Sequence, residues 1–107
     1  MYNNIYVGWD SREDIAYQVC EHSIRRRSKE YDGNVVPLKQ DTLREQKLYW
    51  RDKDKLSSTE FTLTRFLVPH INEYNGWAVF CDCDMVWQIN PKELFRLRDD
   101  SKAVMVV

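Results

Sequence analysis

Gly76–Trp87, with the sequence G-W-A-V-F-C-D-C-D-M-V-W, is the stretch on which the expected fold depends. Four apolar residues, 78–81, follow a glycine, a pattern that favours a buried strand over a helix. Asp82 and Asp84 come directly after this run, and side chains two residues apart on an extended chain point to the same side. Two neighbouring carboxylates repel each other unless a positive charge lies between them, so we expect a divalent cation with oxygen ligands, Mg²⁺ or Mn²⁺.

Length and composition limit the class of protein. The chain has 107 residues, 43% of them hydrophobic and 31% charged, which predicts one globular domain covering 1–107. The chain has 16 basic and 17 acidic residues, so it lacks the excess of positive charge that is typical of nucleic-acid-binding proteins. The sequence has neither an apolar run of membrane-spanning length nor the pattern of a signal peptide. Its three cysteines suggest no disulfide framework, so we expect a reducing, cytoplasmic setting.

The first part of the chain predicts a strand, a helix and a second strand. Ile5–Trp9 is rich in strand-forming residues. Val35–Leu38 contains Pro37, which predicts an edge strand or a frayed strand end. Between them, Ser11 and Asp14 form a plausible helix cap. The apolar side of the predicted helix consists of Ile15, Ala16, Val19, Cys20, Ser23 and Ile24.

In the second part of the chain, one helix is predicted before the central strand and one after it. Lys39–Ser58 has little pattern beyond a helical turn around 43–48, and Thr59–Ile71 predicts a clear helix that Pro69 shortens. Short strands are predicted at Val86–Ile89 and 103–107, and Asn90 begins a further helical turn. The apolar side of the helix at 59–71 consists of Leu63, Phe66, Leu67 and Ile71.

This alternation of strands and helices predicts an α/β domain with a mostly parallel sheet flanked by helices. Ligands of such folds gather at the carboxyl ends of the strands. If the first and central strands are parallel, Asp10 and the pair Asp82 and Asp84 flank one crevice. Arg65 interrupts the apolar side of its helix, so it either extends to solvent or serves an anion.

Other motifs are absent or have a simpler explanation. The spacing of Cys81 and Cys83 occurs in zinc sites, but Cys20, His22 and His70 lie on other elements, so we interpret the thiols as core-filling side chains. The sequence has no dinucleotide-binding glycine motif, no Walker loop and no nucleophile elbow.

Several runs together resemble a known family. S-T-E-F-T-L-T-R-F-L-V-P-H-I (58–71), G-W-A-V-F-C-D-C-D-M-V (76–86) and N-P-K-E-L-F (90–95) resemble the nucleotide-sugar-binding half of GT-A glycosyltransferases, most closely those of family 8. I-Y-V-G-W-D-S-R-E-D-I-A-Y-Q-V-C-E-H-S-I (5–24) is similar to that family's first strand, loop and helix. The runs occur in the family's order, and the resemblance implies a Rossmann-like GT-A nucleotide-diphospho-sugar transferase fold.

The resemblance also implies roles for individual residues. In the family, the Asp-x-Asp pair holds a divalent metal, usually Mn²⁺, that bridges the diphosphate of a donor such as a UDP-sugar; Asp82 and Asp84 match it. Asp10 matches an acid that contacts the nucleotide, and Arg65 matches an arginine that reaches the donor. Adjacent positions that the resemblance also implicates in donor binding are Gly8, Trp9 and Arg12.

The chain also departs from the family's pattern. Those enzymes are considerably longer, and their second half supplies a further metal ligand and the acceptor pocket. We therefore expect the donor-binding portion of a glycosyltransferase, completed by a second chain or a missing C-terminal half. The acceptor, the sugar, the base and the catalytic group are not indicated by the sequence.

Two other functions remain open. A non-catalytic nucleotide-sugar-binding module or pseudoenzyme has the same donor site without turnover. A haloacid dehalogenase-like Mg²⁺-dependent phosphatase also places Asp-x-Asp after an apolar strand, with the first acid as nucleophile. In that class a Gly-Thr pair typically follows the acids, whereas Met85 and Val86 follow here.

Overall fold

The computed structural model describes residues 3–27, 33–52 and 56–106. Its strands and helices are, in chain order, β1 (Asn4–Gly8), α1 (Asp14–Arg27), β2 (Val35–Leu38), α2 (Gln40–Glu45), a 3₁₀ turn (Thr64–Leu67) continuing into α3 (Val68–Ile71), β3 (Ala78–Cys81) and α4 (Pro91–Arg96). The longest of these helices, α1, has 14 residues. Within the described ranges, no helix has the length and apolar character needed to cross a membrane.

The sheet has three parallel strands in the order β2-β1-β3. Ile5 of β1 is in register with Val35 on one side and Val79 on the other. The central strand is buried on both faces, as expected for a strand covered by helices in a parallel sheet. The predicted α/β class with a parallel sheet is confirmed, and β2 is an edge strand as Pro37 indicated.

The core lies on both faces of β1 because alternate side chains of a strand point in opposite directions. Ile5 and Val7 pack on one face, against α1 and Phe95 of α4. Tyr6 points to the other face, where it packs with Leu38 of β2 and Val68 of α3. The helices therefore fix β1 from both sides and hold its carboxyl end in place.

The predicted inner side of α1 is rotated in the structure. Tyr17, Cys20, Ser23 and Ile24 are buried, whereas Ile15 and Val19 are 77% and 50% exposed. Tyr17 therefore packs against the core where the sequence pattern had predicted Ile15 and Val19. Ser11 does not cap the helix as predicted, because its hydroxyl donates a hydrogen bond to Glu60.

The predicted continuous helix at 59–71 is wrong over its first half. Residues 59–63 form turns, followed by the 3₁₀ turn and the four residues of α3. Thr62 bonds the Thr59 carbonyl through its hydroxyl, at 3.0 Å, and the Glu60 N–H is directed to Asp10 at 3.1 Å. The Thr62 N–H also bonds the Thr59 carbonyl, at 3.4 Å, and this three-residue bond is that of a turn rather than of an α-helix. Pro69 lacks an N–H, which shortens the helix further. Phe66, expected in the core, is 74% exposed.

Four further local predictions have different outcomes. Asn90 caps α4 as expected, accepting a hydrogen bond from the Lys92 N–H at 3.0 Å. Val86–Ile89 is not a strand, because the Trp87 N–H bonds the Ser23 hydroxyl at 2.9 Å rather than a neighbouring strand. Residues 103–106 are not a strand either, and Val107 lies outside the described residues. In the loosely patterned segment, the helical turn begins earlier than predicted, as α2.

Candidate functional site

Polar residues follow both β1 and β3 at the carboxyl ends of these strands. The register pairs Val7 with Cys81, so the two parallel strands end at the same edge. Asp10 follows β1, and Asp82 follows β3 without an intervening residue. Open α/β sheets bind ligands at the carboxyl ends of their parallel strands, so this edge is the candidate site.

Asp82 and Asp84 are both exposed, and the residue between them is buried. Cys83 is 1% exposed, and its thiol lies 3.4 Å from a carboxylate oxygen of Glu13, to which it donates. Burial, together with the Glu13 carboxylate, raises the pKa of the Cys83 thiol to about 12. The neutral thiol thus anchors the turn after β3 inward, while the two carboxylates face solvent.

Arg65 lies beside the first of these acids. Its Nη2 is 3.7 Å from Oδ1 of Asp82, and both side chains are partly exposed, 38% and 49% respectively. The guanidinium also lies over two aromatic rings, 5.1 Å from the centre of Phe80 and 5.7 Å from that of Phe61. Cations over aromatic faces are attracted by the ring quadrupole, so these rings fix the position of the positive charge. The structure therefore brings together two of the predicted site residues.

Asp10 differs from the other two acids because it is completely buried. Arg12 donates to it through the backbone N–H at 2.9 Å, through Nε at 3.0 Å and through Nη2 at 2.7 Å. The Glu60 N–H donates a fourth hydrogen bond at 3.1 Å. The side-chain bonds from Arg12 outweigh the opposing effect of burial and, with the backbone N–H bonds, hold the pKa of Asp10 well below its usual range. This carboxylate is engaged by the protein itself and ties the loop after β1 to Glu60.

The remaining predicted residues flank that loop. A Cβ atom on Gly8 would lie 2.5 Å from carbons of the Phe61 ring, so glycine permits the ring to pack on the strand. Trp9 is half-buried, and its Nε1 donates to Asp14 at 2.9 Å. The Arg12 side chain is 66% exposed, and its Nη2 also donates to the Ser58 carbonyl at 3.1 Å.

A cavity of about 330 Å³ opens next to this loop. Its walls include Ser11, Arg12, Gln40 and Glu60, but neither Asp82 nor Asp84. Cavities of this size are at the lower end of those that hold small molecules. The candidate site thus has two parts: a cavity at the end of β1, and the acids with Arg65 at the end of β3.

Glu60 and Gln40 are among the cavity residues that were not predicted from sequence. Glu60 accepts hydrogen bonds from the Ser11 backbone N–H at 3.2 Å and from its hydroxyl, and Gln40 donates to the Glu60 carbonyl at 3.2 Å. The only sequence signal for Glu60 is its place in the polar run 57–60 ahead of Phe61, a run that periodicity assigned to a helix start.

Few protein side chains are placed to bind the predicted metal ion. Across the described ranges, no group of three or more histidine, cysteine or acidic side chains is placed to hold a metal ion. Two exposed carboxylates still suit Mg²⁺ or Mn²⁺, since such ions commonly use one or two carboxylates, waters and the phosphate oxygens of a substrate. The acid pair therefore fits a cation that arrives with, or is shared by, a phosphorylated ligand.

Comparisons with known proteins give one close relative. The chain is 50% identical over 103 residues to Protein CDI of Arabidopsis thaliana. The match includes 96% of this chain and 39% of that protein, so the chain spans about two fifths of the length of its relative. No protein-family model matches the chain, and no solved structure matches it.

Proposed function

We propose that this chain is the donor-binding part of a metal-dependent glycosyltransferase, with the GT-A arrangement of a nucleotide-diphospho-sugar transferase. It would transfer a sugar from a donor such as a UDP-sugar to an acceptor of a class still to be found. The observation that carries the proposal is the contact of Arg65 with Asp82 at the carboxyl end of β3. A fixed cation beside exposed carboxylates suits a diphosphate.

The charges at this edge match what departure of a nucleoside diphosphate requires. Breaking the bond to the sugar leaves negative charge on phosphate oxygens, and positive groups nearby lower the energy of that state. Asp82 and Asp84 would hold Mn²⁺ or Mg²⁺, which when bound acts as a Lewis acid on those oxygens. Arg65, positioned by Phe61 and Phe80, adds a fixed positive charge.

The cavity at the end of β1 is the proposed place for the nucleoside. Asp10 acts there as a positioning residue, because it binds Arg12 and the Glu60 backbone that form the wall. Gly8 and Trp9 lie beneath the same loop. No residue is assigned as catalytic, and we propose that the acceptor site and any third metal ligand come from a second chain or from further residues of a longer protein. A cytoplasmic location is part of this proposal.

The test is calorimetric titration of UDP into the folded chain, with and without Mn²⁺. We expect binding that depends on Mn²⁺ and that weakens by about tenfold or more in Asp82→Asn and in Asp84→Ala, since about 1.4 kcal/mol of lost interaction corresponds to a factor of ten. Glu45→Gln, an exposed acid at the end of α2 that does not line the cavity, is the matched control and should bind like the wild type.

The outcomes separate the competing functions. Absence of UDP binding in a sample that melts cooperatively would refute the donor site. Binding that is indifferent to Mn²⁺ and to both aspartate substitutions would refute the role of the acid pair. Release of UDP from a sugar donor, measured with the same variants, distinguishes an enzyme from a binding module, and a covalent phosphate on Asp82 would instead indicate a phosphatase.

A further inference from the structure

Two cysteines that are far apart in the sequence, Cys20 and Cys81, are in contact at the core. Cys20 lies in the middle of α1 and is completely buried, and Cys81 is the last residue of β3 and is partly exposed. Their sulfur atoms are 4.0 Å apart, although 61 positions separate them in the sequence. Both are free thiols in this structure.

The third cysteine makes a different contact. Cys83 is the residue whose thiol points to the Glu13 carboxylate, at 3.4 Å. It is 1% exposed, whereas Cys81 has access to solvent. Of the three cysteines, therefore, one pair is in contact, and Cys81 is the one that is not fully buried.

We propose that Cys20 and Cys81 form a reversible dithiol–disulfide pair that links α1 to the carboxyl end of β3 when a hydroperoxide is present. A disulfide requires about 2.05 Å between the sulfurs, so the two atoms need to approach by about 2 Å, a movement within reach of side-chain rotation and a small shift of the helix. This inference is independent of the proposed donor site.

The chemistry balances with hydrogen peroxide as the oxidant. The Cys81 sulfur attacks one peroxide oxygen and the O–O bond breaks. The protein then carries a sulfenic acid, and the departing hydroxide takes up the proton of the thiol to leave as water. The Cys20 sulfur then attacks the Cys81 sulfur, the S–S bond forms, and the sulfenic oxygen leaves as a second water after protonation. Two thiols are oxidised by two electrons and one peroxide is reduced to two waters. A dithiol reductant reverses the reaction by thiol–disulfide exchange.

The experiment treats the folded chain with hydrogen peroxide, blocks remaining thiols by alkylation, and maps tryptic peptides without reduction. Trypsin places Cys20 in 13–25 and both other cysteines in 66–92. We expect these two peptides to be joined in the wild type and in Cys83→Ser, and to separate after dithiothreitol. They should not be joined in Cys81→Ser.

A second readout keeps the inference testable if a cysteine variant does not fold. Fragmentation of the joined wild-type peptides distinguishes a bond to Cys81 from one to Cys83. Closing a loop of 61 residues should also raise the melting temperature, by on the order of 10 °C, reversibly with reductant. The inference is overturned by peptides that stay separate after peroxide treatment of the folded chain, by a bond that maps to Cys83, or by a bond only between two copies of the chain.

Discussion

Replacing Asp10 by asparagine tests whether this acid stabilises the loop after β1. The four donors divide evenly: the Arg12 N–H and Nε reach Oδ1, and Arg12 Nη2 and the Glu60 N–H reach Oδ2. Asparagine is of the same size but has only one acceptor oxygen. If it keeps the two bonds at Oδ1, its NH₂ group faces two donors, and both of those lose their acceptor.

The expected cost follows from these lost contacts. An N–H that loses its partner in a partly buried position costs about 1–3 kcal/mol, which here applies to Glu60. The guanidinium of Arg12 is largely exposed and is rehydrated when the contact is lost, so it adds little. We therefore expect a loss of about 2 kcal/mol in the free energy of unfolding, and a melting temperature lower by roughly 10 °C.

The assay is urea unfolding followed by tryptophan fluorescence, since the chain contains four tryptophans. Asp41→Asn is the matched control, because Asp41 is an exposed acid near the same cavity and its loss should change stability by less than about 0.5 kcal/mol. Equal stability of the two variants would refute the reasoning that the Asp10 carboxylate holds Arg12 and Glu60 together.

The difference in stability between the wild type and Asp10→Asn should depend on pH. The folded-state pKa of Asp10 lies below the ordinary value of 3.8, so the unfolded chain binds the proton more readily. The stability that Asp10 contributes is therefore fully present above pH 4, and it is lost as the pH falls through the folded-state pKa. The difference in unfolding free energy between wild type and Asp10→Asn should narrow on acidification below about pH 4, and a difference that stays constant there would contradict the assignment.

Two further substitutions test local packing and capping. Gly8→Ala should cost about 1–3 kcal/mol, because the new Cβ would lie 2.5 Å from the ring of the buried Phe61; an unchanged melting temperature would show that the ring can move aside. Asn90→Ala should cost about 1 kcal/mol, because the Lys92 N–H loses its cap, and Asn90→Asp should retain most of the stability in the same thermal melts. Equal melting temperatures for the two Asn90 variants would exclude a capping contribution.

The elements predicted well from sequence are those whose pattern depends on neighbouring residues. The apolar run at 78–81 between Gly76 and Asp82 became β3, and the run after the N-terminus became β1. Pro37 indicated an edge strand because it lacks the N–H that a central strand requires. Asn90 capped α4 for an equally local reason, since its side chain bonds a backbone group two residues away.

Contacts across the fold decided what those patterns could not. Residues 59–63 have a helical sequence pattern, yet the Glu60 N–H is directed to Asp10, 50 positions earlier. Asp10, which the resemblance matched to an acid that contacts the nucleotide, is buried and accepts hydrogen bonds from Arg12 and Glu60. The contact of Arg65 with Asp82, and that of Cys20 with Cys81, also join elements that are far apart in the chain.

Local sequence patterns were thus enough for the three strands of the sheet, for α1 and for the acid pair after β3, because hydrophobic periodicity and turn residues act over a few positions. Only the tertiary structure decided which polar groups satisfy one another. A buried carboxylate binds whichever donors the packed chain brings to it, and for Asp10 those donors come from Arg12 and from Glu60 on a distant segment. The sheet brought the acids to one edge, and packing determined which of them face solvent.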